Sequence, residues 1–367
     1  MARSKGYSAF GDVMRTTADG RPLADLFAEL NAAAEVHNEQ QQNFLSLFTY
    51  TTTSPVTSVL QAVSGGADAF EEASEYGTPK STRLTHDVLD MGATLKWYDA
   101  RWGATWRYLA DATAAEVQAN ANAIIAADQD NVFNDVMRTV FSDTNRSYRD
   151  PRTNAVYDVF AFANGDGWVP PSYAGQSFEA NHTHFRTTGA ATVESADLDE
   201  IIDDFKSHGH SSENGAQIVI FVNALEGNVV STFRVANGDR ADFIPAQGAR
   251  FYAEGALVGD QPAGTFAGFP VKGAYDEAII VETARIPAGY VVGLASGGAL
   301  AATNPIMLRR HPKFPGLTLV DGGSEKYPLV DSYWTSGFGT GVRQRLAGMV
   351  MQVTANATYT PPALYVA

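Results

Sequence analysis

Two histidine pairs, His182-Thr-His184 and His208-Gly-His210, come nearest to catalytic chemistry in this chain. On a strand, positions i and i+2 face the same way, so each pair offers two imidazoles as two corners of a zinc tetrahedron. A carboxylate such as Glu179 or Asp204 would complete the set. A metal-dependent hydrolase using His182, His184, His208 and His210 is the enzymatic reading this spacing allows. Against it, both pairs lie in polar segments and no third ligand stands at a fixed spacing, so the expectation is no bound metal and no other cofactor.

The remaining motifs fail one by one. Asp128-Gln-Asp-Asn131 begins like a calcium loop, but Val132 and Phe133 then stand where an oxygen ligand and a glycine are needed, so a solvated helix face is expected instead. Gly337-Phe-Gly339-Thr-Gly341 has glycines enough for a phosphate cradle but lacks the Gly-Lys-Ser/Thr of a P-loop and reads as a bend between strands whose backbones pass closely. There is no Gly-x-Ser-x-Gly elbow and no cysteine nucleophile, since the chain has no cysteine at all. Adjacent carboxylates such as Asp203-Asp204 and Glu71-Glu72 carry little information in so acidic a chain. The expectation is a protein with no catalytic residue.

The elements that must position these residues follow from composition and periodicity. A chain of 367 residues exceeds one ordinary core and suggests about two domains; 45% hydrophobic and 18% charged residues fit a folded globular protein. A net charge of −15 argues against a protein that grips phosphates, because nucleic-acid binding is dominated by Lys and Arg. The N-terminal residues MARSKGYSAFGDVMRTT hold no apolar signal region, and no window reaches the ~18 apolar residues of a membrane span.

A polar lead precedes a helix-capable segment within residues 1–45, and the lead needs something to lie against. Residues 51–77 are rich in Ser, Thr, Gly and Ala and read as loop with at most short structure. From about 81 to 109 the pattern is β-like and predicts a long two-stranded hairpin, with Trp102, Ala104, Trp106 and Tyr108 on one face and Arg101, Thr105, Arg107 and Leu109 on the other. Thr113-Ala-Ala-Glu116 is a capping box opening a helix from about 114 to 141, with apolar residues at helical spacing. Leu198, Ile201, Ile202 and Phe205 mark a second amphipathic helix, which Gly209 would end. QIVIFVNALEGNVV, residues 217–230, predicts a buried strand followed by a turn or short helix, further strands are expected in GFPVKG, EAIIVETARI and GYVVGLAS, and the C-terminal VRQRLAGMVMQVTANATYTPP holds one or two more.

The stretch LKWYDARWGATWRYL holds three of the five tryptophans together with arginines. An isolated hairpin has no core to bury them in, and Trp and Arg dominate interface hot spots, so a surface covered by other subunits suits them better.

An arm, an extended loop, a very long helix and a mixed α+β body, in that order, resemble the major capsid proteins of tailed bacteriophages over nearly the whole chain. The pieces that carry the resemblance are FEEASEYGTPKSTRLTHDVLDMGATLKWYDARWGATWRYLADAT for the extended loop and AAEVQANANAIIAADQDNVFNDVMRTVFSD for the spine helix. LDEIIDDFKSHG and IVIFVNALEGNVVSTF match an axial helix and its neighbouring strand, and WTSGFGTGVRQRLAGMVMQV the closing peripheral strands.

The resemblance implies an α+β capsid fold divided as N-terminal arm 1–45, extended loop 46–110, spine helix and peripheral domain 111–195, axial domain 196–335 and returning peripheral strands 336–367. It implies a non-enzymatic subunit that assembles with itself into hexamers and pentamers of an icosahedral shell in the virion, built in the bacterial host cytoplasm. Packaged double-stranded DNA would be contacted non-specifically; a separate scaffolding protein and the portal are further expected partners, and a membrane is not. With about 45 residues before the loop, no built-in scaffolding segment is expected. Lys80 and Lys96 lie in the loop, but no motif identifies a crosslinking acceptor. Trp97, Arg101, Trp102, Trp106 and Arg107 are the expected intersubunit contacts, with Glu71, Glu72 and Glu75 as acidic counterparts. An encapsulin-type nanocompartment shell is the alternative within the same fold.

Overall fold

The computed structural model describes residues 16–62, 75–77, 88–248, 261–266, 268–321 and 329–366. The chain begins with α1 (Leu23–Leu45), β1 (Thr49–Thr52), β2 (Val56–Leu60), β3 (Val88–Gly92), β4 (Lys96–Thr105), α2 (Trp106–Asp111) and α3 (Ala114–Phe141). Next come β5 (Arg146–Arg149), β6 (Val156–Val159), β7 (Phe185–Thr187), α4 (Ser195–Ser207), β8 (Gln217–Val222), α5 (Ala224–Val230) and β9 (Ile244–Pro245). The remainder is β10 (Thr265–Phe266), β11 (Phe269–Tyr275), β12 (Ala278–Glu282), β13 (Tyr290–Ser296), β14 (Ile306–Arg310), β15 (Thr318–Asp321), β16 (Leu329–Val342) and β17 (Gly348–Gln352). No described helix is long and apolar enough to cross a membrane. The contacts divide the chain into two units, one formed by Met1–Gln42, Leu95–Asp135 and Arg310–Gly339, the other by the rest.

In the first unit the long helix starts where its capping box predicts. The Thr113 N–H donates to Glu116 Oε2 at 2.7 Å and the Glu116 N–H reaches Thr113 Oγ1 at 3.4 Å. The polar lead lies against this same end: the Ala114 N–H reaches both carboxylate oxygens of Asp19 at 3.3 Å, and the Ala18 N–H donates to Ala112 O at 2.9 Å. A carboxylate there also meets the positive end of the helix dipole. Along α1, Leu26 packs with Ala104, Ala114 and Val117, and Leu30 and Ala34 pack with Ala121, Leu317 and Trp334. Trp334 lies on β16, which pairs antiparallel with both β15 and β4, and Leu317 immediately precedes β15. The solvated face expected at Asp128–Asn131 needs correction at its first residue. Asp128 is buried and lies 3.2 Å from His37 Nε2 on α1, while Gln129, Asp130 and Asn131 are exposed.

The second unit is built on an eight-stranded mixed sheet of order β10-β11-β12-β8-β13-β17-β7, with β9 beside β11. Helix α4 covers it with fully buried Leu198, Ile201, Ile202 and Phe205, each contributing roughly 1.5–3 kcal/mol by leaving water. Gly293 on β13 lets the helix approach, since a Cβ there would lie 2.7 Å from Ile201 Cγ2. The helix ends as expected at Gly209, whose φ of +83° favours glycine. Strand β1 pairs with β14 in parallel, and two-stranded ladders join β2 with β3 and β5 with β6.

Two buried arginines anchor loops in this unit. Arg309 pairs with Asp150 at 2.6 Å and with the Tyr157 hydroxyl at 2.9 Å. Arg345 donates to Ala161 O at 3.0 Å and to Asn164 Oδ1 and Asp166 Oδ2 at 2.9 Å, with its guanidinium 4.8 Å from the Trp168 ring centroid.

The hairpin expected over about 81–109 is not what the described residues form. Strand β3 pairs with β2, whereas β4 pairs over its whole length with β16, Lys96 opposite Phe338 and Thr105 opposite Leu329. Between them the Ala93 N–H donates to Pro55 O and the Thr94 N–H to Thr340 O, which leads the chain out of the first ladder. The glycine-rich run 337–341 lies inside β16, as a close passage of backbones and not a phosphate cradle. A Cβ on Gly341 would sit 2.1 Å from Gly92 O, and one on Gly92 would sit 2.3 Å from Asp158 O.

Candidate functional site

The tryptophan-rich stretch divides into a strand and a helix. Alternation holds from Trp97 to Thr105: Ala104 is buried and Tyr98, Ala100 and Trp102 are half-buried, while Trp97, Asp99, Arg101 and Thr105 face out. At Thr105 the period changes, because its hydroxyl accepts the Tyr108 N–H and caps α2. The expectation that Trp106 and Tyr108 continue the Trp102 face therefore fails; both belong to a helix.

Each predicted contact residue has a definite place. Trp97 is 43% exposed, with its ring 4.6 Å from that of His311 and 5.7 Å from that of Phe314. Arg101 and Arg107 are exposed. Trp102 packs inward onto the group formed by Leu26, Ala104, Ala114 and Val117, so it has partners within its own chain. Trp106 opens α2. Glu75 is exposed, and Glu71, Glu72 and Lys80 lie outside the described residues. Lys96 has an ion-pair partner in its own chain, Asp135, at 3.8 Å.

The register adds two residues that the sequence reading did not name. Arg101 lies opposite Tyr333, and Tyr333 opposite Val320, so the three form a row across β4, β16 and β15. Tyr333 is 40% and Val320 39% exposed. No local signal announces this row, because it depends on pairing β4 with a strand roughly 200 residues or more further along the chain. The result is an outward strip of aromatic, aliphatic and arginine side chains on a sheet whose other face carries the packing against α1. Such a composition suits a surface that buries against another protein.

The histidine pairs resolve differently. His182 and His184 do face the same way, with Nε2 atoms 3.0 Å apart. His208 and His210 do not act as a strand pair, because His208 caps the end of α4 and the left-handed Gly209 follows it. His208 turns toward His182, at 2.9 Å between Nε2 atoms, and Asp204 joins them; His210 is buried outside that group and Glu179 is exposed. Burial pushes His182 down to about 4 and His208 down to about 2, so both imidazoles are neutral at pH 7.

No protein-family model and no curated protein matches the chain. Among solved structures, one from Mycobacterium phage Patience matches at 35% sequence identity and a TM-score of 0.71, covering 99% of this chain and 97% of that one. The asymmetric unit of the bacteriophage PhiM1 mature capsid matches at 9% identity and a TM-score of 0.50, covering 85% of this chain and 87% of that one. The holo-SrpI encapsulin complex from Synechococcus elongatus matches at 11% identity and a TM-score of 0.45, covering 87% and 90%. The PhiM1 match shares the fold at an identity too low to carry more, and the reading as a metal-dependent hydrolase finds no support.

Proposed function

The chain belongs to the major capsid proteins of tailed bacteriophages, and on that premise we propose that it is the repeating subunit of an icosahedral head enclosing packaged double-stranded DNA. The observation that carries this reading is the match to a phage structure at 35% identity over 99% of the chain. Hexamers and pentamers of the chain form the shell, assembled in the bacterial host cytoplasm with a separate scaffolding protein and a portal. The charge of −15 suits an inner wall that encloses DNA without gripping it. Within the subunit, α3 serves as the spine helix, residues 46–110 as the extended loop, and 196–335 as the axial domain.

The strip of Trp97, Arg101, Tyr333 and Val320, together with Trp106 and Arg107 on α2, is the intersubunit surface, and Glu71, Glu72 and Glu75 supply acidic counterparts. Support comes from the exposure of the strip residues and from an inner face already occupied by α1.

Negative-stain electron microscopy of the purified protein, paired with light-scattering mass, tests the assignment. Closed shells, or rings of five and six subunits, are expected at many multiples of 39.3 kDa. A chain that stays a monomer even when co-expressed with the scaffolding protein of its own phage would count against it. Arg107→Glu combined with Trp106→Ala is expected to leave the subunit folded while shells fail to form; normal shells from that variant would remove α2 from the contact surface.

A further inference from the structure

Three imidazoles and one carboxylate converge in the second unit on a single point. His182 Nε2 lies 3.0 Å from His184 Nε2 and 2.9 Å from His208 Nε2, and Asp204 Oδ2 lies 3.0 Å from His184 Nε2 and 3.8 Å from the other two. All four atoms fall within 4.8 Å of one another. In a tetrahedral zinc site with bonds of ~2.0–2.1 Å, ligand atoms stand about 3.3–3.4 Å apart, in the middle of this spread.

Neutral imidazoles alone do not satisfy the arrangement. His184 Nδ1 lies 2.7 Å from Gly348 O, and a carbonyl only accepts, so Nδ1 carries the ring proton. Without a second ring proton, Nε2 of His184 would turn a lone pair toward both Asp204 Oδ2, at 3.0 Å, and His182 Nε2, at 3.0 Å. His182 Nε2 holds either a proton or a lone pair, so it cannot donate to one neighbour while accepting from the other. Asp204 Oδ2 is buried without a hydrogen bond of proper geometry, as is His208 Nδ1. A cation at the centre would take every inward lone pair at once.

The surroundings match those of a metal centre. The Gly348 carbonyl fixes the tautomer and orientation of His184 from behind. Arg186 Nη2 donates to Asp204 Oδ1 at 3.1 Å, which leaves Oδ2 for the centre. The side chains of His184 and His208 are 0% exposed, Asp204 10% and His182 12%. Asp204 and His208 are one turn apart at the end of α4, and His182 and His184 share one side of an extended segment.

We propose that His182, His184, His208 and Asp204 bind one divalent transition-metal ion of the zinc class, through three Nε2 atoms and Oδ2. Four protein ligands fill a tetrahedron and leave no position for water or substrate, so the ion is structural. It clamps the segment leading into β7, a three-residue strand at the end of the eight-stranded sheet, to the C-terminal end of α4. The clamp is independent of shell assembly and stands or falls separately from it.

The test uses the full chain, stripped with a chelator and reloaded with Zn²⁺ alone, with metal content read by inductively coupled plasma mass spectrometry. About one zinc per chain is expected, with a Tm that falls on stripping and recovers on reloading. Cobalt substitution of the same protein should give the visible absorption of a tetrahedral centre, a readout that needs no variant. His182→Gln and Asp204→Asn should lose the ion, whereas His210→Gln, altering a buried histidine outside the set, should keep it. Zinc content after reloading no higher in the wild type than in His182→Gln, with a Tm indifferent to zinc, would overturn the proposal and assign the centre to a proton on His184 paired with Asp204.

Discussion

Arginine serves opposite ends in the two units. In the second, Arg309 and Arg345 are 1% exposed, and each guanidinium meets a carboxylate at 2.6 or 2.9 Å together with further oxygen acceptors. In the first, Arg101 and Arg107 are exposed on a strand and a short helix, with Arg101 opposite the half-exposed Tyr333. A buried guanidinium must have its partners supplied by the fold, because an uncompensated charge inside is very costly. An exposed one keeps its hydration, and on the proposed intersubunit surface its role would be set by what docks there. On the proposed assignment, the contrast separates positions that hold the subunit together from positions that would hold subunits to each other.

Removing one half of the deepest pair should show the largest effect. Asp150→Ala leaves Arg309 buried without its carboxylate and should cost about 3–5 kcal/mol in urea unfolding of unassembled subunits, whereas Arg309→Met with Asp150→Leu should recover most of the loss. A double variant as unstable as the single one would break the pairing argument. Arg345→Lys keeps the charge but loses the planar fork that reaches Ala161, Asn164 and Asp166 together, and should cost roughly 2–3 kcal/mol by the same measurement.

Acid should expose the same pair more gently. Burial alone would raise the Asp150 carboxyl, but the Arg152 N–H and the Arg309 guanidinium outweigh it and hold it below its ordinary value of 3.8. With the folded value below the unfolded one, this contribution is complete above the unfolded value and disappears as pH falls through the folded one. The urea midpoint should therefore lose this contribution only below about pH 4, and Asp150→Asn should flatten that acid limb.

Arg101→Glu with Tyr333→Ser should show the smallest effect on the subunit, within about 0.5 kcal/mol, while shells fail to form in electron micrographs. A large loss of subunit stability from this variant would erase the contrast between the two kinds of arginine.

The sequence made the local elements visible because their signals are local. The capping box at Thr113 and Glu116 placed the start of α3, and the spacing of Leu198, Ile201, Ile202 and Phe205 placed α4 and its buried face. The partner of β4 was invisible, since alternation announces a strand and its two faces but says nothing about which distant strand will pair with it. The hydroxyl of Thr105 was a readable capping signal, yet the aromatic alternation running through Trp106 concealed it. Among the histidines, the spacing of His182 and His184 was informative because that segment is extended. The spacing of His208 and His210 misled, because a helix end and a left-handed glycine intervene and exchange His210 for Asp204.

The passage of Gly341 over Gly92, and of Gly92 over Asp158, has a genetic consequence. Each would-be side chain meets a main-chain oxygen, at 2.1 and 2.3 Å, and every residue type carries that oxygen in the same place. A mutation at either glycine therefore has no compensating substitution at the position it strikes. Reversion is the route back to a viable plaque, and the two codons should stay fixed in lineages where the surrounding side chains drift.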